Sequence, residues 1–480
     1  MIMTSNKSVT IRKLDHEARQ IKPIKELGAI SSKSFLHRAL ICASLAKGRS
    51  TIYYRGLSED IIATIGVLGA FGARISIDKD YISLEPIPSN CIATNENLVK
   101  ESDTKSLDSV HGFKLVNCGE SGSTLRMLLP MATRLSDDYI FTGKEGLMAR
   151  PIGDLTRVLR ENGSDLSSDR LPIKIRNKSG LIKIKNNKSI SKFQIRGDVS
   201  SQYISGLLLA GPLMHGDTRV DVLDKIESKP YIDLTKDVMK LFGVEVEEFD
   251  INLKDDIDKE TMEARTRIVK SYKLKSGQFY KPCCIRAEAD WSNSCFFLAL
   301  GALYREIRLL NLDMTSSQGD KRIIEVLKWY GAGLLIKDSY IEVRPGKRRA
   351  INLDISDTPD MLPILAILAI FAEGQSSFTG IERLRIKESD RIESVIRMVE
   401  DLGAKAWLED NKLIVSGEER TEKTIYRVNS FNDHRIVMAA SIGGSLLGGD
   451  LIIEGAEAVN KSYPDFFKDL RKFGFEVRWC

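Results

Sequence analysis

Six times along this chain a helix-like stretch stops at a glycine and gives way to apolar, strand-like sequence: Gly72, Gly163, Gly243, Gly331, Gly403 and Gly474. Glycine enters the left-handed conformation that closes a helix without a Cβ penalty, so each is predicted to sit just past a helix end. Upstream of each, a polar turn leads into an apolar helix and then a strand. The turns are Ser32-Lys33-Ser34 before Ala39–Ala46, Glu120-Ser121-Gly122-Ser123 before Leu125–Ala132, and Ser200-Ser201-Gln202 before Ile204–Ala210. In the second half they are Trp291-Ser292-Asn293 before Cys295–Ala302, Asp357-Thr358-Pro359-Asp360 before Leu362–Ala372, and Asn432-Asp433-His434-Arg435 before Val437–Ile442. One β-α-β-α-β-β unit therefore recurs six times. The apolar segments are interchangeable, whereas the turns carry different residues: Lys33, Arg126, Gln202, Asp290, Asp360 and Arg435. A repeat that keeps its core and varies its turns has its chemistry in the turns.

A chain of 480 residues exceeds the size at which one hydrophobic core stops growing, so two domains of three units each are expected. The boundary is predicted near Cys284–Glu288, which gives one domain over 32–285 and another over 286–480. A strand-like segment, Val9–Lys13, precedes the first unit. Because the second half ends abruptly at Cys480, residues 1–31 are expected to complete that half. Ser89–His111 and Asp250–Lys281 are rich in charge with little apolar periodicity and read as surface insertions.

The longest apolar run, Met361–Ala372, is too short to span a bilayer, and Met1–Arg12 lacks a signal-peptide core, so a cytoplasmic protein is expected. Seven cysteines are odd in number and fit no zinc or redox spacing; reduced thiols and no metal or other cofactor are expected. A net charge of +5 is too mild to demand nucleic acid, though it suits small anionic substrates.

Helix starts expose unpaired N–H groups and the positive end of the macrodipole, and so attract phosphate or carboxylate. Taken singly, Ser and Asp at such starts are ordinary N-caps. That reading does not account for Lys33, Arg126 and Arg435, cations placed where the dipole disfavours them. An anionic ligand would offset their placement. Lys387-Glu388-Ser389-Asp390-Arg391 places Lys387, Glu388 and Arg391 within about one helical turn, able to face one cavity. For an isolated string of this kind a solvated, charged helix start is the better reading. Arg150-Pro151-Ile152-Gly153 and Ser228-Lys229-Pro230-Tyr231 each mark a helix entry, with proline in the first turn. His434 beside Asp433 reads as a loop-holding histidine. No nucleophile elbow, Walker A or dinucleotide glycine fingerprint occurs, which argues against hydride and ATP chemistry.

The ordered set Lys33-Ser34 with Arg38, Gly119–Arg126, Arg150–Gly153, Ser200–Gln202, Ser228–Tyr231, Pro359–Met361, Lys387–Arg391, Asn432–Arg435 and Lys461 resembles the EPSP synthase (3-phosphoshikimate 1-carboxyvinyltransferase) family of enolpyruvyl transferases. The resemblance runs from about Ser32 to Asp465. It implies an α/β fold, the two-domain inverted α/β barrel or prism, with three units per domain closing a cleft over shikimate 3-phosphate and then phosphoenolpyruvate. The enolpyruvyl group would pass to the shikimate 5-hydroxyl by addition and elimination, releasing phosphate without a metal. Carried over by motif, Lys33, Ser34, Arg38, Ser200, Ser201, Gln202, Ser228, Tyr231, Asp360 and Lys387 would hold shikimate 3-phosphate. Lys33, Gly122, Arg150, Gln202, Arg391, Arg435 and Lys461 would hold phosphoenolpyruvate, while Asp360 and Glu388, with Lys33, would move protons. A monomer acting on small molecules is expected, with no nucleic-acid or membrane partner. Three positions depart from the family pattern: the turn Ala29-Ile30-Ser31-Ser32, Glu120 and Arg383.

Two rival readings make different demands. The other carboxyvinyltransferase of this fold, which acts on UDP-N-acetylglucosamine, uses a loop cysteine, and Lys144–Gly153 contains none. An RNA-binding relative would need a basic track with stacking aromatics, whereas the basic motifs here interleave with carboxylates.

Overall fold

All six predicted stop glycines have φ between +80° and +107°. A side chain would be strained at each, which is why the helices end there. The computed structural model describes residues 7–13, 25–92, 109–110, 112–177, 190–250, 268–418 and 420–480. Six small sheets form among them.

The unit Asn352–Ser416 shows the plan. Strands Asn352–Asp354 and Gln375–Thr379 pair in parallel, so a crossover is needed between them, and helix Leu362–Ile370 supplies it. Every residue of that helix is buried, as its unbroken apolar sequence requires. The next helix, Arg391–Asp401, is amphipathic and buries Ile392, Val395, Met398 and Val399 at helical spacing. The chain then turns back through the hairpin of Lys405–Glu409 and Lys412–Ser416, whose second strand pairs antiparallel with Gln375–Thr379. The spatial order is first, second, fourth, third strand. Three of the other five sheets repeat it, one with the short strand Ser109–Val110 added at its edge; in the remaining two a strand distant in sequence, Ser8–Lys13 or Cys284–Arg286, stands in for the fourth or the first strand.

The chain divides into two compact units. The N unit comprises Lys33–Tyr54 and the described residues of Glu59–Ala287; the C unit comprises the described residues up to Ser32, Arg55–Ser58 and those of Glu288–Cys480. Each contains three of the sheets. Strands from distant parts of the sequence complete them. Ser8–Lys13 lies between Asp450–Glu454 and Phe475–Trp479, antiparallel to both. Lys25–Gly28 runs parallel to Ile307–Leu310 in the C unit, and Cys284–Arg286 runs parallel to Ser50–Tyr53 in the N unit. Within the C unit the two connecting segments run side by side, with Ser32 N–H donating to the Glu288 carbonyl at 2.8 Å.

One segment overturns its sequence reading. Ile268–Leu274, inside the expected insertion Asp250–Lys281, is an interior strand, paired with Asp217–Leu223 on one side and Glu247–Asp250 on the other. Its charges misled the reading: Lys270 and Lys273 stand on a strand whose other positions, Ser271, Tyr272 and Leu274, include buried ones. Of the other insertion, Ser89–Cys91 forms a short 3-10 turn and Ile92 bridges to Leu135. Residues 93–108, 111 and 251–267 lie outside the described set.

The lysine-rich strand has a partner that gives its charge a purpose. Glu248 accepts hydrogen bonds from Lys236 and Lys270, with Lys229 at 3.7 Å. Burial raises the Glu248 carboxyl, and these lysines outweigh it, holding it at about 2. A depressed carboxylate stabilises the fold above its unfolded value near 4.5 and loses that contribution as the pH falls towards 2. Glu248→Gln should therefore cost about 1 kcal/mol or less near pH 6, the range for a solvent-screened pair. Urea unfolding should show the gap to wild type closing between pH 4.5 and pH 2. A gap independent of pH would mean that the lysines do not act through this carboxylate.

Candidate active site

In the N unit, three helix starts carry the sequence-predicted groups. Ser121 caps helix Gly122–Ala132 by accepting from Thr124 N–H, and Ser200 caps Ser201–Ala210 by accepting from Gln202 N–H. Lys33 opens helix Lys33–Ser44, with its ammonium 2.8 Å from Asp60. The Gly122 and Ser201 helices cross closely because Gly206 lacks a side chain; a Cβ there would stand 2.5 Å from the Arg126 carbonyl. That approach lets Arg126 Nη1 donate to Gln202 Oε1 at 2.9 Å while Gln202 Nε2 donates to Ser123 Oγ at 2.8 Å.

Gly122 makes room for two guanidinium groups. A Cβ on it would be 3.1 Å from Arg150 Nη1 and 3.5 Å from Arg126 Nη1. The Arg150 turn is fixed from the other side, where the Tyr203 hydroxyl donates to the Pro151 carbonyl at 2.8 Å. Two arginines at one helix start, with backbone N–H groups beside them, form a receptor for phosphate or carboxylate. Ser228 precedes helix Lys229–Leu241 in the left-handed conformation, φ +54°.

Arg38 differs from its predicted company. It is buried, and its guanidinium donates to Thr235 Oγ1 at 2.7 Å, to the carbonyls of Ser34 and Tyr231 at 2.7 and 2.9 Å, and to Ser205 Oγ at 3.3 Å. It ties helices Lys33–Ser44, Ser201–Ala210 and Lys229–Leu241 together and sets the positions of Ser34 and Tyr231. Pro151 also departs from expectation. It lies outside the helix, which starts at Gly153 with Ile152 as its N-cap, so Arg150 belongs to the preceding loop.

The C unit holds a denser cluster. Arg391 and Asp433 are both fully buried, and Arg391 Nε donates to Asp433 Oδ2 at 2.9 Å. The other nitrogens of Arg391 reach Asp360 Oδ1 at 2.6 Å and Glu388 Oε2 at 2.5 Å. Asp360 stands in the 3-10 turn Pro359–Met361, which leads directly into the apolar helix Leu362–Ile370. Its second oxygen accepts from Arg435 Nη2 at 3.0 Å, and Lys387 Nζ lies 3.7 Å from the first. Arg435 Nη1 donates to Ser292 Oγ at 2.7 Å. Lys461 Nζ donates to the Asn432 carbonyl at 2.9 Å. His434 is buried, with Nδ1 3.9 Å from Asp433 Oδ1.

Burial works against the charge of Asp360, but Arg435, Lys387 and Arg391 together hold its carboxyl far below the ordinary range. Burial lowers the Lys387 ammonium, with Arg383 and Arg391 adding to the effect and Asp360 opposing it. The cluster thus pairs a carboxylate that resists protonation with an ammonium that gives up its proton more readily than usual. An arriving anion that draws Arg435 and Arg391 towards itself would relax the first of these.

The predicted residues accordingly fall into two sets. Lys33, Ser34, Arg38, Gly122, Arg150, Ser200, Ser201, Gln202, Ser228 and Tyr231 lie in the N unit, and Asp360, Lys387, Glu388, Arg391, Arg435 and Lys461 in the C unit. Sequence reasoning passed over Asp60, Ser292, Asp433 as a charge partner, and Asp320. Asp433 had a legible signal, since it precedes two basic residues at a helix start. Asp60 and Asp320 had none, because their partners are remote in sequence.

Residues 19–470 match the family model for EPSP synthase (3-phosphoshikimate 1-carboxyvinyltransferase). The 3-phosphoshikimate 1-carboxyvinyltransferase of Clostridium kluyveri is 36% identical over 462 residues, 95% of this chain and 97% of that protein. The protein of that name from Methanocorpusculum labreanum is 33% identical, over 93% and 95% of the two chains. An EPSP synthase structure from Acinetobacter baumannii aligns with a TM-score of 0.70 at 22% identity, covering 98% of this chain and all of that one. The enolpyruvyl transferase NikO from Streptomyces tendae aligns at 0.67 with 15% identity, covering 99% of both. The fold is that of these transferases: a mixed α/β inverted barrel with six small sheets.

Arg391 keeps Asp360 and Glu388 when Asp433 is removed, but a buried charged hydrogen bond and the cap of helix His434–Gly444 are lost, so Asp433→Ala should destabilise the protein by about 2–4 kcal/mol. Urea denaturation is the measurement, and high salt should leave the loss in place because the pair is shielded from solvent. A loss below about 1 kcal/mol, the worth of an exposed pair, would show that the pair does not hold these two turns together.

Proposed function

Because the chain belongs to the EPSP synthase family, and so transfers the enolpyruvyl group of phosphoenolpyruvate to the 5-hydroxyl of shikimate 3-phosphate, we propose that the two sets of residues above are its catalytic machinery. The observation that carries the reading is Asp360, a carboxylate whose two oxygens are held by two different arginines with a lysine beside it. Such a cluster binds anions and moves protons.

In this reading Ser34, Ser200, Ser201, Gln202, Ser228 and Tyr231, with Lys33, Asp360 and Lys387, hold shikimate 3-phosphate, and Arg38 acts through Ser34 and Tyr231. Phosphoenolpyruvate carries a phosphate and a carboxylate. Arg150, Lys33, Arg391, Arg435 and Lys461, with the N–H groups around Gly122 and the Gln202 amide, are its anchors in this reading. Guanidinium forks suit both groups, since each presents paired oxygens.

The reaction needs a proton placed on the methylene carbon and another taken from the attacking hydroxyl as the new carbon–oxygen bond forms. Phosphate then leaves as the methyl group gives back a proton. Lys387, with its lowered proton affinity, suits the first task. Asp360 and Glu388 suit the removals, once the substrate's charge has drawn Arg435 and Arg391 away from them. We also read the enzyme as a cytoplasmic monomer; no helix among the described residues is long and apolar enough to cross a membrane.

Asp360→Ala and Glu388→Ala should each lower kcat by about 10²- to 10⁴-fold, the usual contribution of an acid–base group. Thermal melting separates this from a structural cause. Variants that melt like wild type and retain more than about a tenth of its turnover would remove these two carboxylates from the mechanism. Gly122→Ala tests the phosphoenolpyruvate site. The added methyl group must displace Arg150 Nη1, 3.1 Å away, so KM for phosphoenolpyruvate should rise about tenfold, equivalent to roughly 1.4 kcal/mol, while Tm stays close to wild type. An equal rise in KM for shikimate 3-phosphate would mean that Arg150 serves both ligands.

A further inference from the structure

Asp320 lies in the 3-10 turn Gly319–Arg322 and is 2% exposed. Three elements of the C unit face it. Helix Trp291–Leu303 presents Ser292, the Cys295 thiol and, at its cap, Asp290; helix His434–Gly444 presents Arg435; the turn Pro359–Met361 presents Asp360. On its own turn, Lys321 donates to the carbonyls of Met314 and Ser316, and Arg322 to that of Asp354, so neither cation is spent on Asp320.

The turn is tied in place. Gln318 Nε2 donates to the Ala289 carbonyl at 2.7 Å, and its Oε1 accepts from Trp291 N–H and from Ser32 Oγ, both at 3.1 Å. Asp320 is therefore held against the helix start at Ser292. Neither carboxylate oxygen meets a donor at full hydrogen-bond geometry among the described residues. The Ser292 hydroxyl is nevertheless close enough to favour the ionised form. Ser292 Oγ itself accepts from Arg435 Nη1 at 2.7 Å, and Arg435 Nη2 binds Asp360 at 3.0 Å. One guanidinium thus stands between Asp360 on one side and Ser292 with Asp320 on the other.

We propose that Asp320 is a positioning residue for phosphoenolpyruvate: it takes up a proton as the anionic substrate reaches Arg435, leaving that guanidinium to be shared by Asp360 and the substrate alone. This rests on Arg435 as a phosphoenolpyruvate anchor. Burial, reinforced by the charge of Asp360 and opposed by Arg435 and Ser292, raises the Asp320 carboxyl to about 6. A substrate bearing further negative charge raises it again, so binding and proton uptake favour each other. Solvent supplies the proton, and it is released when phosphate departs. Phosphoenolpyruvate binding should then weaken as the pH rises through and above 6.

The test compares KM for phosphoenolpyruvate in wild type and Asp320→Asn from pH 5.5 to 8, with shikimate 3-phosphate saturating. Taking the ratio of the two profiles cancels the ionisation of the substrate itself. The ratio of wild-type to variant KM should rise about tenfold across the range, one unit of coupled proton affinity, while KM for shikimate 3-phosphate gives a flat ratio. Parallel profiles for phosphoenolpyruvate would overturn the proposal. Should the variant fail to fold, the ¹³C carboxyl resonance of Asp320 in the wild-type chain decides: its titration midpoint should move up on adding phosphoenolpyruvate, and a midpoint that stays put would overturn it. Arg435→Ala separates the premise from the proposal. If that variant keeps wild-type KM for phosphoenolpyruvate, Arg435 is no anchor and the premise fails, whatever the pH profiles show.

Discussion

The Arg391–Asp433 pair is the constraint around which the C unit is arranged. Both side chains are fully buried, and a charge in that setting is tolerable only with a partner at hydrogen-bond distance. Asp433 meets the condition twice, since it also caps helix His434–Gly444 by accepting from Arg435 N–H. The turn carrying Arg435 and the turn carrying Arg391 are thereby locked in one register. With Arg391 fixed, its remaining nitrogens set the positions of Asp360 and Glu388.

The N unit has a buried guanidinium of its own: Arg38 donates to the hydroxyls of Thr235 and Ser205 and to the carbonyls of Ser34 and Tyr231. Around Arg391 the carboxylates of Asp433, Asp360 and Glu388 offset its charge, and with Arg435 and Lys387 they leave groups of both signs side by side in the C unit.

Crowding several ionised groups around Asp360 also sets a threshold on its reactivity. While Arg391, Arg435 and Lys387 all attend it, it is a weak base. An anion that competes for those cations would make it a stronger base. Asp320 extends that logic by one residue, through the hydroxyl of Ser292.

The repeat was legible because it depends on local chemistry. A glycine past a helix end, a fully apolar helix between parallel strands and an amphipathic helix before a hairpin each leave a mark within about a dozen residues, and Gly72 through Gly474 adopt the expected conformation. The motif residues were legible for the same reason, as short polar strings at helix starts. What tertiary structure alone decided is pairing over distance. Asp60 beside Lys33, Asp320 beside Ser292, and Arg38 spent on Ser205, Tyr231 and Thr235 join segments that no local pattern connects. Ile268–Leu274 was hidden likewise, since its lysines read as solvent-facing until Glu247–Asp250 brought Glu248 against Lys270. A charge in a sequence carries no sign of its partner, and in a buried site the partner determines whether it binds substrate, moves a proton or holds the fold.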